Sequence, residues 1–543
     1  MTLTVSIRDM RPDRIRARIV TLQKWPRRGL LFGCGAFAAL AHAPVFFFPA
    51  LALGLVVLIW ALDGASRDNR PLRAGFGRAF VFALGYFCAG TFWIAFAFFS
   101  RGWAFTPFGP FAVLGASILL ALFWGMAGAV QARMAGRGAA RIIAFALLIF
   151  AAEWLRGHVL TEFPWNLPAY VWQGGSAISQ SASIYGAWGL SLVSLLVLAS
   201  PASLAGPAAR LGRYVPVLAA LLVLAGLYAW GARRLSDSAV TPMQDVRVRL
   251  VQIDMPQREK WAAGNEDLVR ARYLAATTQA GLDAVTHVIW PEGALPVFLL
   301  EDGETLGLIG DQLYGGPVLV AGTARREIDE AGQTRYYNSV AAIRFPTGSP
   351  RVTHLYDKVR LVPFGEYIPL APVFRSLGID ALSNLVDGYS SGPGPDSFEF
   401  SDGPPAAILV CYEIVYPGFA PRRENRPGWI INVSNDSWFG PTAGPSQHLN
   451  IARYRAIEDG LTVIRSASGG ISGAIDPYGR LASRVEPYQE GAHDIVPPNS
   501  IEPTVYSRFG NTSVTVLGAF FLLLLVGLGS RRKQFLQDRV VKQ

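Results

Sequence analysis

Charged residues are scarce in this chain: they make up 16% of its 543 residues, whereas hydrophobic residues make up 51%. A water-soluble globular protein carries about 25% charged residues. The composition therefore excludes a wholly soluble protein, and the mean hydropathy of +0.30 agrees. The formal net charge is +10. The basic residues concentrate at the chain ends and in short loops between apolar runs, and the chain has no basic helix and no aromatic RNA-binding motif, which argues against nucleic acid as a partner.

Cysteine is also rare, and three cysteines cannot form a disulfide framework. Cys34 and Cys88 lie in apolar runs, where a cysteine usually serves as a small hydrophobic residue. Cys411 is the only one outside such runs. Acidic residues and histidines show no metal-ligand spacing, and the chain has no phosphate-binding loop or dinucleotide fingerprint. We therefore expect neither a metal nor a cofactor.

Long uncharged runs indicate a polytopic α-helical membrane domain. Residues 29–62 carry no charge and are interrupted at His42, Ala43 and Pro44, which indicates two closely joined spans. Further runs fill 79–100, 103–132, 182–209, 214–231 and 511–529. A weaker run at 142–152 ends at Glu153 and Arg156. Since one span needs about 20 residues, we predict about eight spans: seven within 29–231 and one at 511–530.

The distribution of arginines predicts the orientation of these spans, because short loops rich in Lys and Arg stay in the cytoplasm. The arm at residues 1–28 is basic. Arginines recur in alternate loops, at Arg67, Arg70, Arg73 and Arg78, then at Arg133, Arg137 and Arg141, and then at Arg210 and Arg213. The intervening loops hold only Arg101 and Arg156. This pattern predicts a cytoplasmic arm, an external segment 232–510 and a cytoplasmic tail 531–543; without the weak fifth span, 232–510 would be cytoplasmic.

Residues 232–510 read as a single α/β domain with its core at about 246–496, near the size at which one core stops growing. Predicted strands are 246–254, 285–290, 318–322, 338–343, 406–410, 429–433, 461–465 and 472–475. Predicted helices are 265–281 and 447–459. No internal repeat or low-complexity tract interrupts this segment.

Three polar groups in this domain follow apolar or strand-like stretches. Glu292 follows a strand and precedes a glycine; alone, it is also compatible with a turn acid or a helix cap. Lys358 precedes a loop rich in Pro and Gly; alone, it is compatible with a solvated cation. Cys411 ends the aliphatic strand 406–410, where a buried packing cysteine is the simpler interpretation. Each group thus has a structural alternative.

Taken together, the three groups suggest a nucleophilic site. A thiol needs a base to become a thiolate, and Glu292 is a candidate for that base. The oxyanion formed by thiolate attack on a carbonyl needs a fixed positive charge, which Lys358 would provide. His448 is the best histidine candidate as a partner of the thiol, but it lies in no matching motif. A surface cap or a supporting role is the preferred interpretation of His448.

The order Glu292, Lys358, Cys411 resembles the catalytic triad of the nitrilase (carbon–nitrogen hydrolase) superfamily. The local sequences resemble, more narrowly, the apolipoprotein N-acyltransferase family. They are Val-Gln-Ile-Asp-Met-Pro-Gln at 251–257, Trp-Pro-Glu-Gly at 290–293, Leu-Val-Pro-Phe-Gly-Glu-Tyr-Ile-Pro at 361–369, Cys-Tyr-Glu-Ile at 411–414 and Asn-Val-Ser-Asn-Asp-Ser-Trp-Phe-Gly at 432–440. The resemblance covers the whole chain and implies an αββα sandwich for the external domain.

The resemblance also implies roles for single residues. Cys411 would be the nucleophile, Glu292 the general base and Lys358 the oxyanion stabiliser. Supporting positions are Glu366, Glu413 and Tyr412, and Trp261 matches a position near the acyl entrance, although alone it would read as core packing. We further expect Trp438 and Phe439 to line the acyl path, with packing of the domain on the membrane as the alternative. The loops 370–379 and 436–441 are candidates for mobile lids, and Gly440, Gly444 and the Gly-Pro-Gly-Pro run at 392–395 would let them move.

The implied reaction transfers an acyl chain from a phospholipid, through a cysteine thioester, to the α-amine of a diacylglyceryl-cysteine at the N-terminus of an apolipoprotein. The implied location is the bacterial inner membrane, with the catalytic domain in the periplasm, and we expect a monomer. One alternative is a membrane-tethered amidase acting on a small amide, which leaves the spans unexplained. The other is a transporter, although the spans contain few of the ionisable residues that transport pathways need.

Overall fold

The computed structural model describes residues 11–541, except residue 101 and the segments 135–137, 207–208, 370–375, 377–387 and 423–425. Two predictions fall largely outside the described residues: the loop arginines Arg101 and Arg137, and the candidate lid 370–379 apart from Ser376. The described chain forms two compact units. One comprises residues up to Ala95, Pro107–Leu235 and the segment from Phe509, and the other comprises Phe96–Thr106 and Ser236–Arg508.

The first unit is helical. Its helices are α1 (Pro12–Thr21), α2 (Lys24–Ala38), α3 (Phe48–Ala65), α4 (Pro71–Gly90), α6 (Gly109–Met134), α7 (Gly138–His158), α8 (Ala182–Ala199), α9 (Arg210–Ser236) and α15 (Thr512–Val541), with the short α5 (Ile94–Phe99) at its border with the second unit. Within the described residues, five helical segments are long and apolar enough to cross a membrane: Phe48–Ala65, Thr106–Met134, Gly138–His158, Ile178–Leu204 and Leu211–Ser236. The chain is therefore a membrane protein in its helical part.

The predicted break inside 29–62 is confirmed, because α2 and α3 are separate helices with a short 3-10 turn at Ala39–Ala41 after α2. The weak run at 142–152 belongs to α7, which has 21 residues. The uncharged run 79–100 is not one continuous helix: α4 ends at Gly90, where Thr91 donates its own N–H and hydroxyl to the Phe87 carbonyl. The residues on both sides of the break are uncharged, so the composition of 79–100 does not reveal where the helix ends.

Several arginines predicted in loops lie inside helices instead. Arg73 and Arg78 belong to α4, Arg133 to α6, Arg141 to α7, and Arg210 and Arg213 to α9. Buried Arg141 pairs with Asp63 at 2.6 Å. The predicted run end at Glu153 and Arg156 is likewise a buried ion pair inside α7, and Trp124 Nε1 donates to Glu153 at 2.7 Å. Pairing lets helices carry these charges in an apolar interior.

The second unit contains two β-sheets. A six-stranded sheet has the order β11-β1-β2-β3-β4-β5, and a five-stranded sheet has the order β10-β9-β8-β7-β6. The strands are β1 (Val248–Gln252), β2 (His287–Trp290), β3 (Val318–Ile328), β4 (Thr334–Arg344), β5 (Arg351–Asp357), β6 (Ser397–Phe398), β7 (Ala406–Val410), β8 (Trp429–Asn435), β9 (Thr462–Ser468), β10 (Gly473–Ile475) and β11 (Gly491–Ile495). The helices are α10 (Gln257–Lys260), α11 (Glu266–Thr277), α12 (Gly303–Leu313), α13 (Gly444–Asp459) and α14 (Val505–Phe509).

The main core lies between the sheets. Ile289 and Val320 of the first sheet pack with Ile408, Ile431 and Ile464 of the second in one buried cluster. A second cluster covers the outer face of the six-stranded sheet with side chains of α11 and α12. Helix α13 packs against β9 of the other sheet. This arrangement is the expected αββα sandwich.

The apolar strands were predicted well, and the polar ones were missed. The range of β7 was predicted correctly, and β3, β4 and β8 extend farther than predicted. Strand β5 was missed because most of its side chains are exposed or half-buried, so its sequence does not read as a core strand. Strand β11 and helix α12 were missed as well.

His287 is a fully buried histidine at the start of β2. Its ring contacts those of Phe400 and Trp429 with centroids 4.7 Å and 5.5 Å away, and Nδ1 hydrogen bonds to Thr286 Oγ1 at 2.7 Å. Burial lowers the pKa of His287 to about 4; Asp402 opposes that shift and Arg344 adds to it. The folded protein therefore holds this ring neutral at a pH where the unfolded chain would protonate it.

We predict that the domain loses stability as the pH falls from about 6.5 towards 4, because only the unfolded state takes up the His287 proton in that range. Between pH 7 and pH 5 this residue should account for about 2 kcal/mol. His287→Phe should remove that part of the loss, whereas His493→Gln on β11 serves as the control. The measurement is thermal unfolding of the full chain in detergent at both pH values; an unchanged loss in His287→Phe would refute the assignment.

Candidate active site

The candidate catalytic residues gather where strands of both sheets end. Strands β1, β2 and β3 are parallel, and β5 has the same direction because two antiparallel pairings separate it from β3. In the other sheet β7, β8 and β9 are parallel. Polar residues after the carboxyl ends of parallel strands can face one crevice. Glu292 follows β2, Lys358 follows β5 and Cys411 follows β7.

Glu292 is buried and held from two directions. Its Oε1 accepts from Asn338 Nδ2 at 2.7 Å, and its Oε2 accepts from the Asn435 N–H at 2.8 Å. Gly322 makes room for this turn, because a Cβ there would lie 2.6 Å from the Glu292 Cα. The carboxylate is therefore fixed, as a general base must be. Glu292 does lie in a turn, and its two carboxylate oxygens accept hydrogen bonds from Asn338 and Asn435.

Lys358 is also buried, so its interpretation as a solvated cation is wrong. Its Nζ donates to Glu366 Oε1 at 2.9 Å and to Glu292 Oε1 at 3.4 Å. Burial alone would lower the pKa of Lys358, but the carboxylates of Glu366 and Glu292 raise it well above its usual value. Lys358 is therefore a permanent cation in this site.

Asn338 is a central residue that the sequence analysis missed. Its Nδ2 donates to both Glu292 Oε1 and Glu366 Oε1, each at 2.7 Å, and its carbonyl accepts from the Lys358 N–H at 2.8 Å. The only sequence signal was a polar residue at the start of a predicted strand. Glu366 in turn accepts from the Val362 N–H at 2.7 Å, so both carboxylates are held by several donors.

Cys411 stands on a sharp turn directly after β7. Its backbone φ is +50°, a left-handed conformation that is uncommon for a residue with a side chain. Such strain persists only where the surroundings impose it, and it clusters at functional sites. A 3-10 turn over Cys411–Val415 follows immediately, so strand, nucleophile candidate and turn form one continuous unit.

Glu413 imposes this turn. It is fully buried, and its carboxylate accepts hydrogen bonds from the Tyr356 hydroxyl at 2.9 Å and from three backbone N–H groups, those of Val359, Arg360 and Val410, at 2.7, 3.0 and 2.8 Å. Burial raises the pKa of Glu413 to about 7, although the donors and Lys358 oppose that shift. Glu413 thereby joins the end of β7 to the segment that carries Lys358.

Cys411 rests as a thiol. Burial raises its pKa, and Glu292 and Asp436 raise it further, whereas Lys358 and a hydrogen bond with Ser434 act in the opposite direction. The net effect is a pKa above the ordinary value. Because a thiolate is the nucleophilic form, this sulfur needs a base close by, and Glu292 is the carboxylate that acts on it most strongly.

His448 contacts the backbone carbonyl of Cys411. It is buried, so the surface-cap interpretation is wrong. Its Nδ1 pairs with Asp436 Oδ1 at 2.9 Å, and its Nε2 lies 3.3 Å from the Cys411 carbonyl oxygen. Arg465 donates to Asp436 Oδ2 at 2.6 Å. This buried network lies behind the turn that bears the thiol.

The remaining predicted residues have varied surroundings. Trp261 is 49% exposed, so core packing is the wrong interpretation; its Cζ2 would lie 3.7 Å from a Cβ at Gly293. Tyr412 is buried, with its ring 5.3 Å from that of Tyr416. Trp438 and Phe439 are half-buried, and the Phe439 ring lies 5.7 Å from His448. Among the described residues, no group of histidines, cysteines and acids could hold a metal ion.

Comparisons with known proteins match both parts of the chain. Residues 34–200 match the model of the apolipoprotein N-acyltransferase N-terminal domain, and residues 247–496 match that of carbon-nitrogen hydrolases. Three similar relatives are all named apolipoprotein N-acyltransferase. The protein of Rhodopseudomonas palustris is 35% identical (95% of this chain, 97% of the relative), that of Bradyrhizobium diazoefficiens 37% (94% and 97%) and that of Caulobacter vibrioides 38% (92% and 93%).

We predict that Asn338→Leu lowers the free energy of unfolding by about 3 kcal/mol, because two buried carboxylates lose a charge-assisted donor. Asn338→Asp should be more harmful, since it places a third carboxylate beside Lys358. The control is Asn499→Leu, whose exposed amide donates to the Thr241 hydroxyl and to the Pro242 carbonyl. Denaturant unfolding of the full chain measures both, and a loss in Asn338→Leu no larger than in the control would contradict the assignment.

Proposed function

This chain belongs to the apolipoprotein N-acyltransferase family of enzymes, and from that premise we propose how its site carries out lipoprotein N-acylation. Cys411 is the nucleophile, Glu292 the general base and Lys358 the oxyanion stabiliser. The observation that supports this assignment is the convergence of a fixed carboxylate and a permanent cation on a strained, protonated cysteine. Family membership favours acyl transfer over the amidase and transporter alternatives.

In the first half-reaction Cys411 attacks the ester carbonyl at the sn-1 position of a phospholipid. Glu292 takes the Sγ proton as the C–S bond forms, and Lys358 faces the negative charge that develops on the carbonyl oxygen. The C–O bond then breaks, and Glu292 returns the proton to the departing glycerol oxygen. The products are a lysophospholipid and a thioester on Cys411.

In the second half-reaction the neutral α-amine of a diacylglyceryl-cysteine attacks the thioester. Glu292 takes the amine proton as the C–N bond forms, and it returns that proton to the sulfur when the C–S bond breaks. The products are an amide on the lipoprotein and a free Cys411 thiol. Because one base serves both halves in alternating directions, no additional acid is required.

Both substrates are anchored in a bilayer, which explains the helical part of the chain. Moving an acyl chain into water costs about 0.8 kcal/mol per CH₂, so the site must meet its substrates at the membrane surface. We assign Trp261, Trp438 and Phe439 to the acyl path. The turn that carries the latter two is closely packed, since a Cβ at Gly440 would lie 2.2 Å from the Phe96 ring.

We further propose eight spans with the catalytic domain in the periplasm of a bacterial inner membrane, and a monomeric enzyme. Among the described residues, the first unit contains eight helices of 15 residues or more: α2, α3, α4, α6, α7, α8, α9 and α15. Seven precede the catalytic domain, so a cytoplasmic start places that domain outside. The basic arm and tail agree with this orientation.

The acyl-enzyme intermediate can be detected directly. The full-length protein is incubated with phospholipid vesicles and without an acceptor. The Cys411 peptide should then carry the mass of an acyl group, because no amine is present to take the acyl group from the thioester. Cys411→Ala should show no adduct, and Glu292→Gln should lower its rate of formation by at least about 100-fold. Mass spectrometry of the digested protein reports both. An unmodified Cys411 peptide under conditions of turnover would refute the thioester scheme.

Reporter fusions test the orientation. Alkaline phosphatase, which is active only outside the cytoplasm, should be active when fused after residue 236 and inactive when fused after residue 541. A fluorescent protein that folds only in the cytoplasm should show the reverse pattern. A fusion after residue 158, at the end of α7, serves as a further control and should behave as external. Cytoplasmic behaviour of the fusion after residue 236 would contradict seven preceding spans.

A further inference from the structure

Lysine is rare in this chain, and its few positions are informative. Of the 49 basic residues other than histidine, only five are lysines. Lys24, Lys533 and Lys542 lie near the chain ends; the other two are Lys260 and Lys358. Both are in the catalytic domain, and both are only 1% exposed. Arginine stays charged under almost all conditions, whereas a buried lysine can adjust its charge, so these two positions stand apart from the arginine-rich remainder.

Lys260 has no hydrogen-bond partner among the described residues. It ends the short helix α10, and its buried Nζ lies 5.7 Å from the centre of the Tyr273 ring. That cation–π contact offers a modest attraction. A buried ammonium group without an acceptor is costly, so packing alone is a poor reason for a lysine here. The proposed mechanism gives Lys260 no task.

The helix that carries Lys260 adjoins the proposed base. Gln257 Oε1 accepts from Asn435 Nδ2 at 3.2 Å, and the Asn435 N–H donates to Glu292 Oε2 at 2.8 Å. Trp261, directly after Lys260, lies beside Gly293. The Tyr273 ring beneath the ammonium is 4.9 Å from that of Trp290, two residues before Glu292. Helix α10 therefore borders the turn that presents Glu292.

The charges around Glu292 are unbalanced without Lys260. Glu292 and Glu366 are two buried carboxylates that share the single ammonium of Lys358. The Cys411 thiol adds no charge at rest, and Glu413 is held by the Tyr356 hydroxyl and backbone N–H groups. Burial lowers the pKa of Lys260 to about 7, and Glu292 is the carboxylate that opposes this shift. Tyr273 also faces Lys260, and it stays neutral because burial raises its pKa.

We propose that Lys260 is a positioning residue for acyl transfer: its buried ammonium, which no hydrogen bond occupies, holds Glu292 in the carboxylate form that accepts the Cys411 proton. The inference rests on the proposed function, because it assumes that Glu292 is the base. Lys358 then stabilises the oxyanion, while Lys260 supplies the second positive charge that the carboxylates of Glu292 and Glu366 require. The two lysines cannot exchange roles, since of the two Lys358 alone is hydrogen bonded to the carboxylates in the described part of the chain.

The pH dependence of Cys411 acylation tests this role in the full-length enzyme with phospholipid vesicles. In Lys260→Met the acid limb of the rate profile should move to higher pH by about one unit. At pH values below the limb this shift corresponds to an acylation rate about tenfold lower than that of the wild type. The rate on the alkaline plateau should stay within about threefold of the wild type. Lys260→Arg, which keeps the cation, should retain the wild-type acid limb. A uniform loss at every pH in Lys260→Met, with the limb in place, would overturn the proposal.

A second measurement does not depend on acyl transfer. The rate at which iodoacetamide alkylates Cys411, followed on its own peptide, reports removal of the Sγ proton, and in Lys260→Met its acid limb should shift by the same amount. If Lys260→Met fails to fold, Lys260→Gln is compared with Lys260→Arg instead. Acid limbs at the same pH in these two variants would refute the role of the Lys260 charge. Normal acylation in Glu292→Gln would refute the proposed base itself, which separates the failure of the two proposals.

Discussion

The burial of charge beside Cys411 is the constraint on which the rest of the catalytic domain depends. Glu292 and Glu366 lie buried with Lys358, and a buried charge left without partners is strongly destabilising. Their stability therefore requires every donor around them: the Lys358 ammonium, the Asn338 amide and the backbone N–H groups of Asn435 and Val362. These donors come from different strands and loops, so the site can form only when the domain has folded.

The same requirement joins the two sheets. Glu292 follows β2 of the six-stranded sheet and Asn338 lies in β4 of that sheet, whereas Asn435 ends β8 and Cys411 follows β7 of the five-stranded sheet. The hydrogen bond from Asn435 to Glu292 and the bonds from Tyr356 to Glu413 cross between them. Apolar packing between the sheets is not directional, whereas these hydrogen bonds require donor and acceptor at fixed positions. The apolar core thus stabilises the pair of sheets, and the hydrogen bonds of the site fix the positions of the catalytic residues on them.

The sequence predicted the fold and the site correctly where a local feature, such as an apolar run or a family motif, was sufficient. An uninterrupted aliphatic run predicted β7 and placed Cys411 at its end, and the family resemblance selected Glu292 and Lys358. It failed where an outcome depended on distant partners. Asn338 bonds to carboxylates 46 and 28 residues away, and nothing in its local sequence indicates them. The half-exposed strand β5 was missed for a related reason, since only its pairing with β4 makes it a strand.

The protonated resting state of Cys411 has a consequence for selectivity. A thiolate exposed to an oxidising compartment would react with oxidants, whereas a thiol reacts slowly. In the proposed mechanism the sulfur becomes nucleophilic only as Glu292 removes its proton, in the presence of a carbonyl whose developing charge Lys358 can meet. Burial raises the pKa of Cys411 and so couples its reactivity to bound substrate. The desolvation that makes the site costly to fold thereby also protects a cysteine that has no disulfide partner.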